Sequence, residues 1–147
     1  MIILGDGPEN SSLTLLSETL GIRDRVDFPG FVENPFAFLA KADVFVLSSR
    51  WEGFANVVIE ALACGVPVVV TKSGAFPEIV RNNQDGIIVS KGNTDELAKG
   101  VHKILNDDIL RARLSNSARR HAENFGLEDH IKKMAQIFQD TIRQTKQ

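Results

Sequence analysis

Cysteine is almost missing from this 147-residue chain: Cys64 stands alone, so no disulfide can close within it and no cysteine-rich metal site can form. Set among Ala and Leu, Cys64 reads as a small buried residue. Long apolar runs are missing as well, none nearing the ~18 residues of a membrane span. The start MIILGDGPE is too short and too acidic for a secretory signal, so the expected location is the cytoplasm. Aromatics make up 7% of the chain, mostly Phe inside apolar patterns, and no basic patch interleaves with exposed ones; nucleic-acid binding is therefore not expected. His102, His121 and His130 all fall late in the chain without metal-ligand spacing. There is no Gly-x-Ser-x-Gly elbow, no Walker-type loop ending in Gly-Lys-Ser/Thr and no Asp-x-Asp pair. Neither a metal nor a cofactor is expected.

What is present suits one ordinary domain with a real interior: 43% hydrophobic and 24% charged residues. The net charge of -2 hides an asymmetry, because residues 1 to 98 carry 7 Lys/Arg against 13 Asp/Glu, whereas residues 99 to 147 carry 10 against 6. A basic tail reads first as a solvated helix face; an anionic membrane surface or an acidic partner is the alternative.

Short apolar runs alternate with helical patterns for about 90 residues. IIL (2 to 4), VDF (26 to 28), DVFVLSS (43 to 49), PVVVT (67 to 71) and GIIV (86 to 89) read as strands. The patterns at 9 to 20, 35 to 41, 57 to 64, 76 to 82 and 94 to 105 read as helices, the first with a Leu13, Leu16, Leu20 stripe and the third closed by Gly65 with Pro67 beyond. Continuous Val and Ile strands are buried on both faces, the mark of a parallel sheet between helices. The expected fold is α/β, a doubly wound parallel sheet in three αβα layers. Two amphipathic helices follow within 107 to 147, with stripes at Leu110, Leu114, Ala118 and at Ile131, Met134, Ala135, Phe138, Ile142. They either cover the sheet or reach toward a missing partner.

In such a sheet the ligand crevice lies beyond the carboxyl ends of the strands. The loops there hold Gly5, Gly7, Gly30, Gly53 and Gly74, where backbone can approach a ligand closely. GDGPEN begins like a dinucleotide fingerprint but has Asn10 for the third glycine and Pro8 in the turn. The stretch RWEGFANVVIEALACGVPVVV, residues 50 to 70, is richer. Asn56 is placed to cap a helix whose first amides, Val57 and Val58, would make an anion site. Glu60 sits one turn in, alone among apolar residues. An uncompensated buried carboxylate costs several kcal/mol, about 0.3 to 1 kcal/mol from the helix end offsets little of it, and a ligand with phosphate and vicinal diol would fit. Glu52 is a loop residue that solvent alone could explain.

EGFANVVIE, Glu52 to Glu60, with two glutamates separated by seven residues, resembles the signature of glycosyltransferase family 4, retaining enzymes of GT-B fold. GDGPE, VDFPGFV, ADVFVLSSRWEGF, EALACGVPVVV and SGAFPEIV resemble that family's C-terminal, donor-binding domain, in the same order. The resemblance implies a Rossmann-like half of GT-B over residues 1 to 147, transferring sugar from a UDP- or GDP-linked donor to an acceptor hydroxyl with retention and without metal, in surface-glycan synthesis. Glu60 would bind the donor ribose and Glu52 would act at the transferred sugar. Amides of Gly53 and Phe54 would face sugar and phosphates, those of Asn56, Val57 and Val58 the pyrophosphate, and Phe31 and Val32 would flank the base. Gly5, Gly7 and Gly74 would supply rim contacts.

Two family features have no counterpart: the Gly-Arg strand and following lysine that neutralise the leaving pyrophosphate, and the N-terminal acceptor domain. The resemblance therefore implies an incomplete enzyme, with that domain as its partner and peripheral membrane contact as an analogy. The rival readings are a noncatalytic nucleotide-sugar-binding or interaction module and, more distantly, a sugar-nucleotide epimerase.

Overall fold

The computed structural model describes residues 1 to 145, apart from the side chains of residues 129, 130, 144 and 145. The elements run β1 (Ile2–Leu4), α1 (Asn10–Thr19), β2 (Asp27–Gly30), α2 (Phe36–Leu39), β3 (Phe45–Leu47), α3 (Asn56–Ala63), β4 (Val68–Thr71), α4 (Phe76–Ile79), β5 (Gly86–Val89), α5 (Thr94–Leu105), α6 (Asp108–Ala122) and α7 (Leu127–Thr145). Contacts divide the chain into two compact units, Met1–Phe38 and Leu39–Gln147. Every strand pairs in parallel, in one sheet β1-β2 and one sheet β3-β4-β5. The α/β architecture is the expected one, carried by two sheets of two and three strands.

In the first unit Ile2 pairs with Asp27 and Leu4 with Gly30, and the Gly5 amide donates to the Gly30 carbonyl at 2.9 Å. The Leu13, Leu16, Leu20 stripe of α1 is not buried: these residues are exposed. Two short strands offer too little apolar surface to cover a helix of this length.

In the second unit β4 is central, and its Val68, Val69 and Val70 are fully buried. Alternation along the strand sends Val68 and Val70 to one face and Val69 to the other. On the first face they join Val58, Ala61 and Leu62 of α3, Phe76 and Ile79 of α4, and Ala118 and Ala122 of α6. On the second, Val69 and Val89 meet Ile104 of α5 and Leu114 of α6, with Leu97, Val101 and Leu110 around them. These are the three αβα layers, and α6 serves both faces.

Of the two late helices, α6 covers the sheet and α7 does not. Along α7, Ile131, Met134, Phe138 and Ile142 are all exposed. No helix among the described residues is long and apolar enough to cross a membrane.

Gly65 ends α3 as expected. With φ +74 its amide donates to the Leu62 carbonyl at 2.8 Å, and Val66 returns to Ala61 at 2.9 Å. From α6, Arg119 Nη2 adds a bond to the Cys64 carbonyl at 3.3 Å. Cys64 itself is half-buried rather than buried, because it follows the last full turn of α3.

Candidate functional site

Strands β3, β4 and β5 run in register, Phe45 beside Val68 and Val68 beside Gly86, so their carboxyl ends emerge together. The loops that follow are tied to one another. Thr71 Oγ1 donates to the Ser49 carbonyl at 2.6 Å, Ser73 Oγ to the Arg50 carbonyl at 3.1 Å and the Ala75 amide to the Gly53 carbonyl at 3.2 Å. The Lys72 amide reaches the Val89 carbonyl at 2.7 Å. Thr71 at the end of β4, with Ser73 and Ala75 just past it, thus fixes the backbone at residues 49, 50 and 53.

Glu52 is half-buried, and Ser49 Oγ donates to its Oε1 at 3.1 Å. It is a positioned carboxylate rather than a freely solvated one. Gly74, with φ +49, lies so close to Glu52 that a side chain there would enter the Glu52 carbonyl. At Gly53 a Cβ would meet nothing within 4 Å. Of these two glycines, one serves backbone packing and the other borders open space.

The expected cap on α3 is displaced by one residue. Ala55 holds the N-cap position with no side-chain cap bond, and Asn56 is the first helical residue. Ala55 is extended (φ -87, ψ 94), which puts the turn before Asn56 rather than at it. The Val58 amide donates to the Ala55 carbonyl at 3.0 Å, which leaves Asn56 and Val57 as the amides without intrahelical acceptors. Glu60, one turn on, is half-buried rather than enclosed. Its carboxylate takes no hydrogen bond or ion pair among the described residues, and no fully buried side-chain oxygen there lacks a partner, so it reaches open space. The burial cost inferred from its apolar neighbours is correspondingly smaller.

Glu52, Gly53, Phe54, Asn56, Val57, Val58, Glu60 and Gly74 therefore share the second unit. Gly5, Gly7, Phe31 and Val32 belong to the first. There Asp6 Oδ1 accepts from the Gly7 amide at 3.2 Å and Asn10 Nδ2 at 3.3 Å, which closes the GDGP turn. Gly5 (φ +107) and Gly7 both border open space, and Phe31 is exposed.

Two features went unread in the sequence. Lys91 Nζ sits 3.7 Å from the centroid of the Trp51 ring. Asp85, fully buried, accepts from Arg81 Nε at 2.7 Å, Arg81 Nη2 at 2.6 Å, the Arg81 amide at 3.2 Å and Ser117 Oγ at 2.9 Å. His121 Nε2 stands 3.8 Å from Asp85 and 3.2 Å from the Ile79 carbonyl, which as a pure acceptor sets that nitrogen as a donor. Burial pushes the Asp85 carboxyl up, but bonds from Arg81 and Ser117 outweigh it and hold the group below the ordinary carboxylate range. The spacing of Arg81 and Asp85 was visible; Ser117 and His121 come from a distant helix. His102 is exposed and His130's side chain lies outside the described residues.

A model of the family described as glycosyl transferases group 1 matches residues 1 to 121. N-acetyl-alpha-D-glucosaminyl L-malate synthase of Bacillus anthracis is 33% identical over 147 residues, covering 99% of this chain and 39% of its own length. N-acetylgalactosamine-N,N'-diacetylbacillosaminyl-diphospho-undecaprenol 4-alpha-N-acetylgalactosaminyltransferase of Campylobacter jejuni is 37% identical over 127 residues, 85% of this chain and 34% of its own. Among solved structures, HepE of Anabaena in complex with UDP superposes with TM-score 0.88 at 27% identity, over 95% of this chain and 40% of that one. The same protein with UDP-glucose gives 0.86. The chain spans about two fifths or less of these relatives. With three parallel strands, a glutamate loop tied at their carboxyl ends and a family match over most of its length, the chain belongs to the group 1 glycosyl transferases.

Proposed function

We propose that the chain is the donor-nucleotide half of a retaining, family 4 glycosyltransferase that works with an acceptor domain in glycan synthesis. The observation that carries this is Glu60, a half-buried carboxylate with no protein partner among the described residues, one turn into α3 and in the same unit as the tied Glu52 loop. Two ribose hydroxyls are what such a carboxylate accepts from. The amides of Asn56 and Val57 hold the pyrophosphate, Val58's being directed to Ala55. Gly53 and Phe54 lie along sugar and phosphates. HepE is solved with UDP and UDP-glucose, which supports a uridine donor.

Transfer then breaks the bond between the anomeric carbon and the diphosphate and forms the bond to the acceptor hydroxyl oxygen on the same face, the hydroxyl proton passing to the departing diphosphate. Glu52, held by Ser49, stands at the sugar end, and helix-end amides stabilise the departing charge without a metal.

Titration calorimetry with UDP, GDP and ADP tests the reading. Glu60→Ala is expected to weaken the preferred diphosphate about ten- to a hundredfold, the worth of one charge-assisted hydrogen bond. Unchanged affinity would sink the ribose assignment. Glu52→Gln is expected to leave diphosphate affinity within about twofold.

A further inference from the structure

We propose that Trp51 and Lys91 form a saccharide-stacking wall beyond Glu52, the open face of the indole taking a pyranose ring. The inference rests on the donor-binding reading of the Glu52 to Glu60 loop. Trp51 is the chain's one tryptophan and, at 86%, the most exposed large apolar side chain among the described residues.

The ring is presented, not adrift. The backbone on both sides of it is held, at Ser49 and Arg50 by Thr71 and Ser73, and at Gly53 by the Ala75 amide. Lys91 stands on an equally fixed turn. There the Asn93 amide donates to the Ser90 carbonyl at 3.1 Å, the Ser90 amide to Glu96 Oε2 at 2.7 Å, and Asn93 caps α5 by accepting from the Glu96 amide at 3.0 Å. With the ammonium 3.7 Å above the centroid, one face of the indole is occupied by a cation and the other is free.

A flat apolar face suits the C–H face of a pyranose, whose hydroxyls lie around the rim and need polar partners there. Glu52, next in sequence, supplies an acceptor, and Lys91 braces the indole from its far face. A lone indole edged by an acid and backed by a cation is narrow for a protein partner, whose anchors sit inside broader apolar patches. The pyranose can come from the donor or from the acceptor.

Trp51 also reports on itself, because the chain has one Trp and no Tyr, so its ultraviolet-excited emission comes from this ring. The unmodified chain is titrated with UDP, with UDP-glucose and other UDP-hexoses, and, when saturated with UDP, with methyl glycosides. UDP is expected to bind by calorimetry with little change in emission. A sugar ligand is expected to shift emission to the blue and to shield it from acrylamide, and the arm that does so identifies donor or acceptor as the source. Trp51→Ala is expected to weaken that ligand about three- to tenfold with UDP affinity unchanged, the UDP arm doubling as a check on folding. The proposal is overturned if UDP binds while no sugar ligand alters emission or quenching, or if Trp51→Ala weakens UDP and UDP-hexose alike. If UDP itself fails to bind the unmodified chain, the donor-site reading falls, and the methyl glycosides alone decide the stacking wall.

Discussion

An Arg81→Met variant is expected to lose about 3 to 5 kcal/mol of folding stability, more than Asp85→Asn, which is expected to lose about 1 to 3 kcal/mol. The order follows from where the two charges sit. The Asp85 side chain is 0% exposed and Arg81's is 43% exposed, so removing the arginine strands a carboxylate in the interior, while removing the acid leaves a cation that water can reach. Asparagine also keeps an oxygen for Ser117. Urea unfolding of the two variants checks the ranking, and an Asp85→Asn loss equal to or greater than that of Arg81→Met would refute it.

The same pair sets an acid dependence. In the native chain Asp85 titrates below the ordinary carboxylate value near about 3.9, so between the two pKa values the unfolded chain binds more protons. The pair's contribution is therefore complete above about pH 4 and fades as pH falls through the lowered pKa. Without Arg81, burial dominates and the sign reverses: the folded carboxyl titrates high, and protonation relieves the stranded charge. The stability gap between native chain and Arg81→Met is expected to narrow on going from pH 7 toward pH 4, measured by unfolding across that range. A gap that widens would contradict the assignment.

How far the sequence disclosed this follows the range of each interaction. The β4 strand was legible because Val68, Val69 and Val70 are buried on both faces and so carry no alternation to misread. Helix α5 matched its expected 94 to 105 because Asn93 and Glu96 form a capping pair three residues apart. Asn56 was misplaced as a cap, since the turn before α3 is set by the tie between Gly53 and Ala75, a contact absent from local composition. Glu60's exposure was misjudged for the same reason: apolar sequence neighbours point around a helix in all directions, and only the packed face is buried. Ser49 on Glu52, Lys91 on Trp51 and Ser117 on Asp85 join side chains whose nearness exists only once the sheet has formed.

Gly74→Ala is expected to cost about 2 to 4 kcal/mol, a fall in Tm of about 5 to 15 °C, and to abolish the preferred diphosphate-sugar binding. Two effects combine. A φ of +49 is strained for any residue with a Cβ, and that Cβ would fall within the Glu52 carbonyl, 2.7 Å from its carbon and 3.0 Å from the Gly53 oxygen. All of these obstacles are backbone, so relief requires moving residues 52 and 53, which Ser49 holds at the Glu52 carboxylate and Ala75 at the Gly53 carbonyl. Gly53→Ala is the matched control. Its Cβ meets nothing within 4 Å, so stability is expected to stay within about 1 kcal/mol. Any loss of sugar-nucleotide affinity there reports on ligand space alone. Thermal unfolding paired with UDP-hexose calorimetry separates the cases, and a Gly74→Ala chain with native Tm and affinity would show that the two loops are not locked together at that point. The two glycines looked alike as places for a ligand to approach; the backbone packed against Gly74 and the open space at Gly53 separate a position that locks two loops together from one that borders open space.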